Sequence, residues 1–157
     1  MLPRPVPASW PPRPVLIVEP ESTRRDAICR MVRGLGYRVR TARTGGDALR
    51  AVRQGGVEMG IVLVRVGMKP MDGGEVAERI RDAQPDLTVV LLAAAGGDDD
   101  ELLVAYPELP VLRDPVRLGE LYSVLARYLG PPAVARGRGD GPSRWLRRSR
   151  DRSEQPE

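Results

Sequence analysis

Histidine and phenylalanine are missing from this 157-residue chain, and cysteine occurs only once, at Cys29. Without histidine the chain has no imidazole for acid-base catalysis, haem ligation or a His-based zinc site. A single cysteine excludes a disulfide framework, and we expect Cys29 to be a partly buried structural residue because no histidine can activate its thiol. These absences leave a narrow chemical repertoire, typical of a protein from a reducing compartment.

Long apolar runs are also missing. The longest runs, such as LTVVLLAAA at 87–95, are much shorter than the about 20 residues that cross a bilayer. Prolines interrupt the N-terminal segment, so it lacks the apolar core of a signal peptide. We therefore expect no membrane span and a cytoplasmic location.

Positive charge is concentrated at the two ends of the chain. The formal net charge is +4, yet residues 14–130 contain slightly more acidic than basic side chains. Residues 1–13 are rich in proline and are interpreted as a disordered arm. Residues 131–157 are rich in arginine, glycine and proline and are interpreted as a disordered tail. The folded domain is therefore predicted at 14–130.

One segment of the tail has a composition that suggests binding to an anionic partner, SRWLRRSRDRSE at 143–154. Its arginines could contact phosphates while the indole stacks on a base, or the segment could lie on an anionic membrane surface. The candidate contact residues are Arg144, Trp145, Arg147, Arg148 and Arg150. Four acidic residues dilute the charge of the tail, so we rank nucleic-acid binding below protein binding.

Short apolar runs alternate with segments of helical period throughout the predicted domain. The central runs are apolar at nearly every position, which is typical of parallel strands that are buried on both faces. Right-handed crossovers then favour an α/β, doubly wound, flavodoxin-like sheet of five parallel strands in the order 2-1-3-4-5, flanked by five helices. The first helix is predicted to begin at Ser22 or Thr23, and the fourth to cover 98–106. The predicted strands are 14–18, 37–42, 60–64, 87–93 and 110–113.

An arginine lies where such a sheet has its crevice. The carboxyl ends of the first and third strands meet there, and these ends carry Glu19, Pro20 and Glu21 on one strand and Arg65 on the other. The crevice is therefore predicted to contain a permanent positive charge close to a carboxylate.

Four segments of residues 14–130 match the pattern of one known family in their order and spacing. They are VLIVEPESTR at the first strand, GYRVRTARTGGDAL at the second, GMKPMDGGEVAERIRDAQPDLTVVLLAAA after the third, and VLRDPVRLGELYSVLARYL near the end. Over this range the sequence resembles the receiver domain of bacterial two-component response regulators. The resemblance implies the same fold and a role in phosphorelay signal transduction.

The resemblance also implies the positions of a phosphorylation site. In that family two acids after the first strand hold Mg²⁺, an aspartate after the third accepts the phosphoryl group, and a Thr or Ser and a Lys-Pro pair complete the site. The Lys-Pro bond is cis in the family, which implies a cis bond here as well. The corresponding residues of this chain are Glu19 and Pro20, Arg65, Ala93, and Asp114 followed by Pro115.

Only Glu19 in this set keeps the charge that the family has at its position. We therefore expect a degenerate pseudo-receiver that is not an enzyme, has lost Mg²⁺ binding and needs no cofactor. The leading hypothesis for Arg65 is a bidentate ion pair with Asp114 or Glu19. The alternatives are an open crevice with Arg65 in solvent, and a pocket in which Arg65 binds a small anion.

The predicted function is that of a stand-alone, phosphorylation-independent protein interaction module. The family uses the face formed by the fourth helix, fifth strand and fifth helix for partners, so a signalling protein is expected there, and a homodimer is compatible with the fold. The acidic run GGDDDE at 96–101 is interpreted as a solvated loop and first helical turn rather than a metal site. The alternative function is a nucleic-acid-associated regulator that binds through the tail.

Overall fold

A computed structural model describes residues 12–54 and 58–132, and its centre is a single sheet of five parallel strands. The strand order is β2-β1-β3-β4-β5, which confirms the predicted fold class. Each strand lies within one or two residues of its predicted bounds. The strands are β1 Val15–Val18, β2 Val39–Ala42, β3 Ile61–Arg65, β4 Thr88–Ala93 and β5 Val111–Arg113.

A helix follows each strand and returns the chain to the opposite end of the sheet. None of the helices in the described ranges is long and apolar enough to cross a bilayer. A short 3-10 helix, Ala95–Gly97, precedes the fourth helix, which is shorter than predicted. The helices are α1 Ser22–Gly34, α2 Gly45–Gln54, α3 Gly73–Ala83, α4 Asp100–Val104 and α5 Leu118–Leu129.

The sheet separates two apolar clusters because successive side chains of a strand point to opposite faces. Leu16 and Val18 of β1 belong to the cluster under α2 and α3. Val15 and Ile17 belong to the cluster under α1 and α5. Cys29 lies in this second cluster and is 4% exposed, so it is more buried than expected, and this burial raises the pKa of its thiol.

α1 begins at Ser22, one of the two predicted starts, and Glu21 is its N-cap residue. Its carboxylate accepts hydrogen bonds from the backbone N–H groups of Thr23 and Arg24, at 2.9 and 2.7 Å. These two bonds lower the pKa of Glu21. A carboxylate at this position also complements the positive end of the helix dipole.

The last two residues of the predicted N-terminal arm are in contact with the domain. The Pro12 carbonyl accepts a hydrogen bond of 2.9 Å from the Arg38 guanidinium. Arg13 forms an ion pair of 2.6 Å with Glu58. The described packing therefore begins before residue 14, and the rest of the arm, like most of the predicted tail, lies outside the described residues.

Tyr37 joins the beginning of β2 to the end of α5, and its removal should change the pH dependence of stability. The buried phenol donates a 2.7 Å hydrogen bond to the Gly130 carbonyl, and burial raises its pKa. Tyr37→Phe should cost about 1 kcal/mol near neutral pH. The folded state holds the phenolic proton more tightly than the unfolded state, so rising pH favours unfolding above about 10.

Urea unfolding of the wild type and of Tyr37→Phe across pH 8 to about 11 checks this expectation. The advantage of the wild type should shrink as the pH passes about 10, the ordinary pKa of tyrosine. A constant difference across this range would contradict it.

Candidate functional site

Glu19 follows β1 directly and is the most deeply buried acidic residue of the crevice, with an exposed fraction of 0%. One carboxylate oxygen, Oε2, accepts a hydrogen bond from Arg65 Nε at 3.0 Å. The other oxygen, Oε1, accepts from Arg24 Nε. Both oxygens of this buried carboxylate therefore have a guanidinium partner.

Arg65 is the last residue of β3, and its side chain connects the ends of three strands. Its Nη1 atom donates to Asp114 Oδ2 at 2.8 Å, and Nη2 lies 3.5 Å from Asp114 Oδ1. Asp114 follows β5, and β4 lies between β3 and β5. Neighbouring strands are about 4.8 Å apart, so the guanidinium spans the width of β4 to reach this carboxylate. With an exposed fraction of 6%, Arg65 is not a solvent-facing side chain.

Two guanidinium groups and two carboxylates thus form one chain of contacts, which we call the crevice ion cluster: Arg24, Glu19, Arg65 and Asp114. Its formal charges sum to zero. The hydrogen bond to Glu19 raises the pKa of Arg24 above its usual value. The cluster becomes more exposed toward its ends, where the side chains of Arg24 and Asp114 are 53% and 29% exposed.

The remaining predicted site residues contribute no side-chain contact to the cluster. Pro20 is exposed, and only its carbonyl is used, accepting from Arg25 Nη1 at 3.2 Å. Ala93 is buried at the end of β4, and its carbonyl accepts from the Asp114 backbone N–H at 2.9 Å. Pro115 is exposed and follows a cis peptide bond with Asp114. The candidate tail residues Arg144, Trp145, Arg147, Arg148 and Arg150 lie outside the described residues.

The sequence interpretation missed Arg24 and Arg25, which both contact Glu19. Arg25 is 8% exposed, and its Nη1 atom donates to the Glu19 carbonyl at 3.0 Å. Both arginines lie in the first turn of α1, which contains no acidic residue. Cations are unfavourable at the positive end of a helix dipole, so two arginines in this turn were an available indication of a nearby anionic partner.

The acidic run at 96–101 makes local contacts. Asp99 Oδ2 accepts a 2.7 Å hydrogen bond from the Ala94 backbone N–H. Asp100 pairs with Arg113 at 2.9 Å and so connects α4 to β5. Across residues 12–54 and 58–132, no group of three or more His, Cys, Asp or Glu side chains is arranged to hold a metal ion.

The structure thus defines a doubly wound α/β domain with an ion cluster at the carboxyl ends of its first, third and fifth strands. The family model described as "Response regulator receiver domain" matches residues 15–106. The chain belongs to this family, which confirms the resemblance seen in the sequence. It is therefore a receiver domain of the kind that serves phosphorelay signalling in two-component systems.

Solved receiver domains have the same fold. One is the receiver domain of a sensor histidine kinase from Pseudomonas aeruginosa PAO1, described with a magnesium ion coordinated in its active-site cleft. It is 25% identical, with a TM-score of 0.67, and the match covers 76% of this chain and 98% of that one. The signal receiver domain of an HD domain-containing protein from Pseudomonas fluorescens Pf-5 is also 25% identical, with a TM-score of 0.65, over 74% of this chain and 94% of that one.

A receiver domain from Clostridium thermocellum is 22% identical, with a TM-score of 0.66 over 74% of this chain and 94% of that chain. At this identity the match supports the fold alone. A sequence search of curated proteins gave no match.

Proposed function

We propose that this receiver domain is a pseudo-receiver that acts by protein contact and without phosphorylation. The observation that carries the proposal is the guanidinium of Arg65. It lies at the position that corresponds to the acceptor aspartate of the family, and it donates hydrogen bonds to Glu19 and Asp114. A permanent ion cluster therefore lies where other family members have a reversible phosphorylation site.

The chemistry of the residues is unsuited to phosphoryl transfer. An acyl phosphate forms only on a carboxylate, and a guanidinium is not a nucleophile at neutral pH. Ala93 has no hydroxyl to contact a phosphoryl oxygen. The family has a lysine at the position of Asp114, and the positive charge of that lysine complements the phosphoryl group. The carboxylate of Asp114 would instead repel the phosphoryl group.

The same residues do not fit Mg²⁺. This ion requires hard oxygen ligands in near-octahedral geometry. The two oxygens of Glu19 already accept from Arg24 and Arg65, and Pro20 has no side-chain ligand to offer. The positive charge of Arg65 would also repel the ion. We therefore assign the crevice a structural role that needs no metal.

The contacts of Arg65 also argue against a pocket for a small anion. Its Nε and Nη1 donors are already used by carboxylates, and the side chain is buried. An incoming anion would have to displace Glu19 or Asp114 and leave that carboxylate without its partner, at a cost of several kcal/mol for the buried one.

We infer that the partner, a signalling protein, contacts the face formed by α4, β5 and α5. Three large apolar side chains are exposed in this region: Leu102 and Leu118 at 36% and Val104 at 77%. The ion pair between Asp100 and Arg113 connects α4 to β5. In the family an aromatic residue on the fifth strand serves as a switch, and the resemblance places that position at Val111. This face therefore fits a constant surface better than a phosphorylation-dependent one.

Acetyl phosphate labelling tests the proposal. The full chain is incubated with acetyl phosphate and Mg²⁺, and its intact mass is measured, with a thermal-shift titration of Mg²⁺ and beryllofluoride in parallel. We expect no phosphoryl increment and no change in melting temperature, because the crevice lacks both the nucleophile and the metal ligands.

A receiver domain that retains its acceptor aspartate, treated with the same reagents, is the positive control. A phosphoryl group on an acidic residue of this chain would overturn the proposal. A rise in melting temperature with Mg²⁺ and beryllofluoride would do the same.

A further inference from the structure

The folded domain has an uneven charge distribution that the crevice ion cluster does not explain. Residues 24–43 contain seven arginines and a single acidic residue, Asp26. The rest of the range 14–130 contains an excess of acidic residues, since the range as a whole is slightly acidic. One side of the domain is therefore strongly basic although the domain as a whole is close to neutral.

Three of these arginines, Arg38, Arg40 and Arg43, lie in or directly beside β2, the edge strand of the sheet, and the other four are on α1. β2 pairs with β1 and is the first strand in the sheet order, so its other side is an edge. Arg30 and Arg33 are exposed on α1, which packs beside this strand. We call the exposed set the basic edge, and it consists of Arg30, Arg33, Arg38, Arg40 and Arg43.

The basic edge concentrates arginines that have no carboxylate partner in the described part of the chain. Some exposed arginines elsewhere pair with acids, as Arg50 does with Asp47 and Arg81 with Glu108. Other exposed arginines also lack an ion pair in the described ranges, but they lie on separate elements rather than together: Arg53 on α2, Arg79 on α3 and Arg117 before α5. No member of the basic edge takes part in an ion pair with any residue in the described part of the chain. Five concentrated, solvent-facing positive charges therefore remain available to an external anion.

A shallow pocket between α1 and the end of β2 brings several of these charges together. Arg30, Arg33 and Arg43 line it together with Thr41, and Asp26 is the one acidic residue among the lining residues. Arg25 also lines the pocket. Arg25 is buried, with an exposed fraction of 8%. Its guanidinium donates to the carbonyls of Glu19 and Pro20, and it has no carboxylate partner in the described ranges. Its buried charge adds to the positive potential of the pocket.

We propose that the basic edge binds the phosphate backbone of nucleic acid. Guanidinium groups match phosphate oxygens in a bidentate geometry. Arg38 and Arg43 flank β2 and Arg40 lies within it, so these arginines are spread over at least the length of the strand, about 10 Å at the usual rise per residue, which is longer than a single phosphate group requires. An extended polyanion therefore fits the edge better than a small phosphorylated ligand.

The position of the exposed apolar side chains argues against a membrane surface as the occupant. Interfacial binding relies on apolar residues interleaved with the basic ones. The large apolar residues that are exposed in the described ranges are Leu102, Val104 and Leu118, on α4 and at the start of α5. The basic edge has none, so its interaction should be purely electrostatic, as in binding to a phosphate backbone.

Fluorescence anisotropy with a labelled duplex DNA of mixed sequence tests this inference on the full chain over a range of KCl concentrations. Each phosphate contact contributes about −0.9 to the slope of log K against log salt. The triple variant Arg30→Gln/Arg33→Gln/Arg43→Gln should therefore lower the magnitude of the slope by about 2.7 and weaken binding at the lowest salt at least about tenfold.

A matched control removes the same charge elsewhere. The variant Arg53→Gln/Arg79→Gln/Arg117→Gln changes three exposed arginines, on α2, on α3 and before α5 respectively, and it should keep the slope of the wild type. A tail variant, Arg147→Gln/Arg148→Gln, measures the contribution of residues that lie outside the described ranges.

Several outcomes would overturn the inference. One is the absence of DNA binding at low salt. Others are equal losses in the edge and control variants, or a loss confined to the tail variant. Binding to vesicles of anionic lipid but not to DNA, with the same dependence on the edge arginines, would also overturn it. None of these outcomes depends on acetyl phosphate labelling, so this inference and the proposed function fail or stand separately.

Discussion

Replacing Arg65 by methionine is expected to lower the free energy of unfolding by about 3 kcal/mol. The substitution leaves the carboxylate of Glu19, which has an exposed fraction of 0%, with one of its two guanidinium partners. Removing one member of a buried ion pair costs roughly 3–5 kcal/mol. We expect the lower end of this range because Arg24 still contacts Oε1 of Glu19.

Urea unfolding of a double-mutant cycle separates the pair from general disruption of the crevice. If the unpaired Glu19 carboxylate causes the loss, the stability loss of Arg65→Met/Glu19→Gln should be smaller than the summed losses of the two single variants. The coupling energy should be about 1 kcal/mol or more. The exposed Arg79 supplies the matched control, since Arg79→Met should change stability by no more than about 0.5 kcal/mol. A loss for Arg65→Met no larger than that of the control would contradict the expectation.

Asp114, the other carboxylate of the cluster, should contribute less to the free energy of unfolding than Glu19 does. The Asp114 side chain is 29% exposed, and solvent screens its interaction with Arg65. Asp114→Asn is therefore expected to cost about 1 kcal/mol or less. The cluster is thus asymmetric, since its stabilising effect is concentrated at the buried Glu19 end.

The strands and their order could be predicted from the sequence because β1, β3 and β4 are apolar at nearly every position. Such continuous runs leave few alternatives to a parallel sheet that is covered on both faces. The fourth helix was predicted too long because an apolar period cannot show where backbone geometry breaks it. Asp98 is the C-cap of the preceding 3-10 helix Ala95–Gly97 and Asp99 is the N-cap of α4, so the helix begins two residues later than predicted, at Asp100.

The site was less predictable, since the sequence does not show how far a side chain reaches. Arg65 was expected to pair with Asp114 or Glu19, and the structure has both contacts. This arrangement depends on the long arginine side chain crossing the end of β4, which is a property of the folded sheet. Arg24 was missed because its contact with Glu19 depends on the angle at which α1 leaves β1.

Gly73 is expected to be the position at which a single added methyl group is most damaging near this site. Gly73 begins α3, and its backbone N–H donates a 2.8 Å hydrogen bond to the Val66 carbonyl. A Cβ atom there would lie 2.8 Å from the carbonyl carbon of Arg65 and 2.9 Å from Cα of Val66, and closer still to the Arg65 carbonyl oxygen. Because these are backbone atoms, no side-chain rotation can relieve the overlap.

Gly73→Ala should therefore lower the free energy of unfolding by about 2–3 kcal/mol, as overpacking of a tight contact does. Gly34, the last residue of α1, provides a chemically identical control, because a Cβ atom there would meet nothing within 4 Å. Gly34→Ala should be neutral or raise stability by up to about 1 kcal/mol, since alanine reduces the entropy of the unfolded chain. Opposite signs for the two substitutions would assign the effect to the close approach of α3 to the end of β3. Equal effects would mean that α3 can move away from Arg65, and that the crevice is less rigidly held than its contacts imply.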